Sequence, residues 1–310
     1  MLKLSGAVFA ALAVASSSFG AWQLFTTTGT TLYAVQMLSA SDGWAVGAGG
    51  QIRHYNGSSW ASVPSPTTRD LLALKMVSAS SGWAVGSNGV ILWYNGSAWY
   101  SATSPVNSHI YAVDFPPTGN GWAAGRNGDV IRYNGASWAT ATSPTNKHIY
   151  GLDFVSATDG WMVCNGGAIY RYTGSAWLGE ASPVAVNLNG VAMSSTTAGW
   201  AVGANEDVCK YAGSSWTLNY AGPTHATLNA LALVPGGGTA WAVGAAGVSV
   251  HYNGSNWSEQ TTPVTNNLNG VSFVSANDGW AVGDGGVILH YTSGIAVEPA
   301  SRGKVKAIFN

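Results

Sequence analysis

Side chains that could bind a ligand recur in this chain at one point of a repeat of about 39 residues. Aromatic faces with a few convergent polar groups are what a binding pocket needs, so these side chains could stack on a sugar ring or contact a protein. They are Arg69, Asp70, His109, Tyr111, His148 and Tyr150, joined by Arg126 from a second loop type. The matching later positions hold Asn187, Asn189, Thr227, Asn229, Asn267 and Asn269. The alternative is that all of these are solvated loop residues that diverged between duplicated copies.

A second repeated position precedes a tyrosine in every copy and is basic in six of the seven copies. It predicts either a repeated binding cleft between units or a cation or imidazole that rests on a tryptophan face. Its members are His54, Trp93, Arg132, Arg171, Lys210, His251 and His290. Trp93 is also the one tryptophan outside the repeat pattern described below, so it is a further candidate for ligand binding.

No catalytic or metal-binding constellation is visible. The glutamates are dispersed, without the paired spacing that glycoside hydrolysis needs. They are Glu180, Glu206, Glu259 and Glu298. There is no His/Cys/Asp cluster with metal-ligand spacing, no nucleophile elbow and no phosphate-binding loop. We therefore predict a protein that is not an enzyme and that needs no metal or cofactor.

The elements that position these residues follow from the tryptophans. Fourteen of the fifteen lie on two interleaved ladders, with steps of 39 residues almost throughout. The first ladder is Trp44, Trp83, Trp122, Trp161, Trp200, Trp241 and Trp280, and the second is Trp22, Trp60, Trp99, Trp138, Trp177, Trp216 and Trp257. A period of this size means one supersecondary unit copied several times, each copy unable to bury its apolar face alone.

One copy contains four short strands. Residues 268–274 alternate apolar and polar, 279–283 form a second apolar run that ends in a glycine turn, and 287–291 form a third. In most copies a hairpin signal, as in Asn56-Gly57, then leads to a fourth strand that opens with the second tryptophan. Four antiparallel strands per unit are typical of a β-propeller blade. No 3.6-residue apolar period is present, which excludes a helical repeat.

The ladders also predict how the ring closes. The seventh copy ends near Gly294 without its second tryptophan, and the missing member is Trp22 at the N-terminus. Trp22 precedes Trp44 by 22 residues, close to the 23 residues between Trp60 and Trp83. We therefore predict an all-β, seven-bladed β-propeller over residues 21–294, whose last blade is closed by the N-terminal strand.

The strand Gly-Trp-Ala-Val-Gly and the following Gly-x-Ile-x-x-Tyr, as at Gly43 to Tyr55, resemble the BNR or Asp-box repeats of photosystem II assembly-factor-like propellers. The resemblance covers all seven copies, about residues 22–291. The hairpin departs from the Asp box, because Asn56 stands where that motif has Asp and the turn is one residue shorter. The resemblance implies an extracytoplasmic, non-catalytic binding ring in which the Asn-Gly turns are structural. The arginine-rich surface of that family has little counterpart among six scattered arginines.

The two ends of the chain lie outside the repeats. Residues 1–20 have Lys3, an apolar run from Leu4 to Ala15 and small residues before Gly20, which indicates a secretory signal peptide. The apolar run is too short to span a bilayer. Residues 295–310 carry three of the twelve Lys and Arg residues in a tail that could be a loose terminus, a sorting signal or an edge strand for self-assembly.

Charge and cysteine content limit the partners further. Charged residues are 8% of the chain and the net charge is −1, so there is no basic surface for nucleic acid. Cys164 and Cys209 could form a disulfide in an oxidising compartment or remain two buried thiols. We predict a secreted, periplasmic or cell-surface module that binds a protein or glycan on its loop face. The alternatives are a lectin and a structural subunit of an extracellular assembly.

Overall fold

Seven four-stranded antiparallel sheets make up the part of the chain that the structure, a computed structural model, describes: residues 20–117, 120–236 and 238–293. The inner strand of each sheet contacts the inner strands of both neighbours, and the inner strands of the first and last sheets also meet, which closes a ring. The predicted seven-bladed propeller is confirmed. The predicted tail, residues 295–310, and nearly all of the predicted signal segment lie outside the described residues.

Blades 1 to 7 are numbered here from the sheet that begins at Leu32, and strands are numbered in chain order. The inner strands are β2 (Leu32–Ser39), β6 (Leu71–Ser78), β10 (Ile110–Asp114), β14 (Ile149–Ser156), β18 (Leu188–Ser195), β22 (Leu228–Leu233) and β26 (Leu268–Ser275). The second strands are β3 (Asp42–Gly47), β7 (Ser81–Gly86), β11 (Trp122–Gly125), β15 (Asp159–Cys164), β19 (Ala198–Gly203), β23 (Ala240–Gly244) and β27 (Asp278–Gly283).

The outer half of each blade starts after a short 3₁₀ turn. These turns are Ala48–Gly50, Ser87–Gly89, Arg126–Gly128, Asn165–Gly167, Ala204–Glu206, Ala245–Gly247 and Asp284–Gly286. The third strands are β4 (Ile52–Tyr55), β8 (Ile91–Tyr94), β12 (Val130–Tyr133), β16 (Ile169–Tyr172), β20 (Asp207–Ala212), β24 (Ser249–Tyr252) and β28 (Val287–Thr292). The outer strands are β5 (Trp60–Val63), β9 (Trp99–Ala102), β13 (Trp138–Thr140), β17 (Trp177–Glu180), β21 (Trp216–Ala221), β25 (Trp257–Gln260) and, in blade 7, β1 (Ala21–Thr27).

The N-terminal strand completes the last blade. β1 pairs antiparallel with β28, and Trp22 lies opposite Tyr291. The same register joins Trp60 to Tyr55 within blade 1, so the chain start occupies the place that the outer strand has in every other blade. Ring closure through Trp22, as predicted from the ladder spacing, is confirmed.

The two tryptophan ladders meet at every junction between blades. A tryptophan on the second strand of one blade packs edge-on against a tryptophan on the outer strand of the next, with ring centroids 5.2 to 5.8 Å apart. The seven pairs are Trp44–Trp99, Trp83–Trp138, Trp122–Trp177, Trp161–Trp216, Trp200–Trp257, Trp241–Trp22 and Trp280–Trp60. All fourteen side chains are buried. The predicted role of the ladders in packing is confirmed.

Both cysteines are free thiols in the core. Cys164 and Cys209 are fully buried, at the end of β15 and within β20. Burial raises the pKa of each thiol to about 12, because a thiolate loses its hydration there. The sequence left open a disulfide or two buried thiols, and the structure contains two buried thiols.

Replacement of a ladder tryptophan should destabilise the ring. Trp280 is 1% exposed and packs against Tyr55 and Trp60 of the next blade. We expect Trp280→Ala to lower the free energy of unfolding by about 3–5 kcal/mol, measured by urea titration. The control is Trp93→Ala, because Trp93 is 41% exposed and outside the ladders. Equal losses in the two variants would contradict the assigned role.

The thiols should resist reagents in the folded protein. With a pKa of about 12 and no access to solvent, both should fail to react with Ellman's reagent at pH 8. After unfolding in guanidinium without reductant, two thiols per chain should react. A chain that yields none after unfolding would contain a disulfide, contrary to the structure.

Candidate binding surfaces

The loop before each inner strand ties its blade to the preceding one. Asp70 Oδ1 accepts a hydrogen bond from the Gly49 N–H at 2.8 Å, and Asn187 Oδ1 accepts one from Gly166 at 2.9 Å. In blade 3 the acceptor is His109 Nδ1, which accepts a hydrogen bond from the Asn88 N–H at 3.1 Å. In blade 4 it is His148 Nδ1, which accepts one from the Asn127 N–H at 2.9 Å. Asp70, His109 and His148 therefore have a structural role, whatever else they contact.

Four of the predicted residues form one group at the mouth of the central channel. Tyr111 and Tyr150 have ring centroids 5.5 Å apart, and Tyr111 lies 6.1 Å from His109 and 6.5 Å from His148. We call His109, Tyr111, His148 and Tyr150 the mouth cluster. Burial, Tyr111 and Cys164 raise the pKa of Tyr150, so its hydroxyl stays protonated and can donate.

The other half of the mouth is occupied by asparagines that bond to the ring itself. Asn189 Nδ2 donates to the Leu228 carbonyl and Asn229 Nδ2 to the Leu268 carbonyl, each at 2.9 Å. Asn269 Nδ2 donates to the Leu32 carbonyl at 3.1 Å, across the closure of the ring. These amides join adjacent blades, whereas no such bond involves the Tyr111 and Tyr150 hydroxyls among the described residues.

The remaining predicted residues are more scattered. Arg69 is exposed on the same face, where its guanidinium donates to the Asn88 carbonyl at 3.0 Å, and Arg126 is exposed in the 3₁₀ turn of blade 3. Trp93 is on β8, in the outer half of blade 2. The structure therefore separates Trp93 from the other seven candidates.

The repeated basic residue rests on the face of a tryptophan of its own blade, which is the second of the two arrangements predicted for this position. The ring or charged group lies 4.0 to 5.3 Å from the tryptophan ring centroid in all six cases. The pairs are His54–Trp44, Arg132–Trp122, Arg171–Trp161, Lys210–Trp200, His251–Trp241 and His290–Trp280. The third strand runs beside the second in a register that sets each pair opposite. The basic position is thus explained by a structural contact.

Two outer clefts lie at the junctions of blade 3. The cleft between blades 2 and 3 has a volume of about 320 Å³ and includes Trp93, whose neighbour Tyr100 is half exposed, with ring centroids 6.4 Å apart. The cleft between blades 3 and 4 has a volume of about 620 Å³ and is lined by Arg132, Tyr172 and Trp177, among others.

The fifth residue of several inner strands bonds to the inner strand of the next blade, and this position was not singled out from the sequence. Gln36 Oε1 accepts the Met76 N–H, Asp114 Oδ2 accepts that of Phe154, and Asp153 Oδ2 accepts that of Met193, each at 2.7 Å. Lys75 Nζ lies 2.6 Å from Asp114 Oδ1. Burial and the charge of Asp114 raise the pKa of Asp153 to about 7. The signal was available, since these positions are 39 residues apart.

The fold also brings together two glutamates that the sequence analysis regarded as dispersed. Glu206 is fully buried at φ 59°, where the other blades have glycine, and its carboxylate accepts hydrogen bonds from Tyr220 and Thr224. Glu259 on β25 of blade 6 is a neighbour of Glu206, and burial and Glu206 raise the pKa of Glu259. The linker avoids a clash because Gly222 has no Cβ there. The two carboxyl groups therefore meet where blades 5 and 6 adjoin.

Among residues 20–117, 120–236 and 238–293, no group of three or more His, Cys, Asp and Glu residues could hold a metal ion. No helix in those ranges is long and apolar enough to cross a membrane.

The fold is similar to several solved propellers, although no protein-family model and no curated protein matches the sequence. YCF48 bound to a D1 peptide superposes with a TM-score of 0.71 at 15% identity, over 90% of this chain and 97% of that one. A catalytically inactive virginiamycin B lyase from Staphylococcus aureus with quinupristin gives 0.79 at 18% identity, over 88% and 99%. The WD40 propeller domain of Doa1 gives 0.76 at 12% identity, over 89% and 98%. These likenesses establish the fold class, a seven-bladed β-propeller, and the Asp-box assignment stays a prediction.

The Asp153 carboxylate should make stability depend on pH. Asp153 has a pKa of about 7 in the folded chain and about 3.9 when unfolded. The folded state therefore binds more protons between these values, and the free energy of unfolding should fall as the pH rises from about 4 to 7. Asp153→Asn keeps the hydrogen-bond acceptor and cannot ionise, so this fall should be smaller, as measured by urea titrations at pH 5 and pH 8. Parallel pH profiles for the two proteins would contradict the shifted pKa.

Proposed function

We propose that this protein is an exported, non-enzymatic binding or scaffolding module, and that a protein partner contacts the mouth cluster. One observation carries the proposal, the asymmetry of the channel mouth. On one side the asparagine amides are used in bonds between blades, whereas on the other Tyr111 and Tyr150 present partly exposed rings and donor hydroxyls. Tyrosine is enriched at protein interfaces because it combines apolar area with a polar tip.

Basic side chains next to the mouth cluster add to the same surface. Arg69 and Arg126 are exposed on this face, and Lys147 precedes His148 in the loop. Arginine and tyrosine are the residue types that most often dominate interface energetics. A fold neighbour, YCF48, has been seen with a bound peptide, which supports a protein ligand for this class of ring.

The proposal of a non-enzymatic role rests on how the carboxylates are used. Glu206 is buried under Tyr220 and Thr224, and Asp114 is bound to Lys75 and to the Phe154 N–H. A carboxylate whose lone pairs are already taken inside the fold is poorly placed for acid or base chemistry on a substrate. The proposal of export rests on residues 1–20, a segment of signal-peptide type that ends immediately before β1.

Glycan binding is the second candidate, and the exposed pair Trp93 and Tyr100 favours it. The two rings are 41% and 50% exposed on the third and outer strands of blade 2, where a sugar face could stack. Self-assembly through residues 295–310 stays a prediction, because that tail lies outside the described residues.

Photocrosslinking in the producing cells tests the leading proposal. A benzophenone side chain at Tyr150 should yield a discrete crosslinked protein, whereas the same group at Asn229, on the other half of the mouth, should yield none. The double variant Tyr111→Ala and Tyr150→Ala should weaken binding of the purified partner by roughly 30-fold, as expected for central aromatic contacts. The matched control Asn229→Ala should change it by less than about threefold.

Three results would overturn this proposal. The first is crosslinking of equal strength from both halves of the mouth. The second is turnover of a glycoside that a single loop substitution abolishes. The third is a glycan array on which binding depends on Trp93 while the mouth variants lose nothing, which would favour the lectin.

A further inference from the structure

In three blades an aspartate at the start of the second strand hydrogen-bonds to the basic residue that rests on the tryptophan. This carboxylate is twelve residues before the basic side chain and accepts a hydrogen bond from it. The nitrogen–oxygen distances are 2.8 Å for His54–Asp42 in blade 1, 2.6 Å for Arg171–Asp159 in blade 4 and 2.8 Å for His290–Asp278 in blade 7.

Blade 3 keeps the cation and lacks the carboxylate. Asn120 stands in the aspartate position, and the Arg132 guanidinium lies 5.0 Å from the ring centroid of Trp122. Among the described residues Arg132 has no acidic partner, and its Nε is buried without a hydrogen bond. Since a guanidinium is always charged and carries five donors, Arg132 has unused binding capacity.

This arginine lines the cleft of about 620 Å³ between blades 3 and 4, which has about twice the volume of the cleft between blades 2 and 3. On the side of the outer strand, a small side chain lies next to Arg132. Ala139 lies opposite it on β13, where blade 2 has Tyr100 and blade 4 has Leu178. β13 is also only three residues long, while the other outer strands have four or more.

We infer that this cleft binds an acidic segment of an extended peptide, with a glutamate or aspartate carboxylate paired to Arg132. A planar guanidinium can hold a carboxylate through two parallel hydrogen bonds. The volume lies in the range of sites that take ligands larger than a single small anion. β13 is the edge of its sheet, so one side of its backbone is available to pair with an added strand.

The aromatic rings favour a peptide over an acidic sugar. Trp122, Tyr172 and Trp177 are each less than 10% exposed, because they pack against one another at the junction of the blades. A sugar would need an exposed ring face on which to stack. A strand edge and a cation are instead the contacts that an extended acidic chain uses.

Titration calorimetry with short synthetic peptides tests the inference. The probe is acetyl-Val-Thr-Glu-Thr-Val-amide, and its matched control carries Gln in place of Glu. The Glu peptide should bind on the order of tenfold more tightly, because a charge-assisted hydrogen bond is about twice as strong as a neutral one. In Arg132→Gln the two peptides should bind equally weakly.

A second variant removes the site while it preserves the fold. Asn120→Asp restores the aspartate that blades 1, 4 and 7 have, so the internal carboxylate should occupy Arg132 and abolish the preference for Glu. Its thermal midpoint should stay unchanged or rise. Lys210→Gln, which removes the equivalent cation of blade 5, should leave the preference intact.

Three results would contradict the inference. Equal binding of the Glu and Gln peptides to the wild type, or a preference that survives in Asn120→Asp, would overturn it. So would binding of tri-galacturonate that requires Arg132 in the absence of peptide binding, which would assign the cleft to an acidic glycan.

The inference deepens the proposed protein-binding function by adding a second contact at the rim, and the two can fail separately. The double variant Tyr111→Ala and Tyr150→Ala should retain the Glu preference of this cleft. Crosslinking at Tyr150 should in turn be unaffected by Arg132→Gln if only the mouth cluster is functional.

Discussion

The edge-on packing of one tryptophan against another across each blade junction is the interaction on which the whole ring depends. Trp241 of blade 6 would face solvent without Trp22, and Trp22 is supplied by a strand from the opposite end of the chain. A single four-stranded sheet cannot bury such a ring by itself, so each blade is stable only between its neighbours. Closure through β1 is therefore a requirement of the packing.

The same constraint leaves few positions free to vary. The junctions repeat one arrangement, in which a tryptophan packs against a tyrosine of the next blade and, in six blades, against a basic residue of its own blade. Trp280, Tyr55 and His290 are one example. Departures from this plan then stand out. Asn120 leaves a cation unpaired, and Trp93 replaces the basic residue with an exposed aromatic. The peptide cleft that we infer and the alternative glycan site lie at these departures.

Hydrogen bonds between adjacent blades give a structural role to several polar side chains, including some of the predicted binding residues. His148 bonds to the turn of blade 3, and Asp153 bonds to the backbone of blade 5. A polar side chain on an inner strand is close to the next blade, where an unpaired backbone N–H would be costly to bury. Tyr111 and Tyr150 have no such partner, which is why the binding proposal centres on them.

Much of the fold could be predicted because the number and order of the blades follow from the spacing of the tryptophans along the chain. The seven members of the tryptophan ladder predicted seven blades, and the spacing of Trp22 and Trp44 predicted their closure. The basic residue in six of the copies was correctly considered a possible partner for tryptophan. Contacts between blades were harder to predict. The link between Glu206 and Glu259, and the chain of Lys75, Asp114 and Asp153, join residues on different strands whose distance depends on register and ring curvature.

The repeat, the strand order and the residue that closes the ring can be read from the order of the amino acids, because hydrophobic periodicity depends only on spacing along the chain. Which polar groups bond inside the ring, and which stay available to a partner, is visible only in the folded chain. Arg132 and Arg171 occupy the same position of the repeat. Arg171 faces Asp159, whereas Arg132 faces an open cleft. The physical reason is that the charge balance of a side chain is set by its neighbours in space, and in this ring those neighbours come from different strands and adjacent blades.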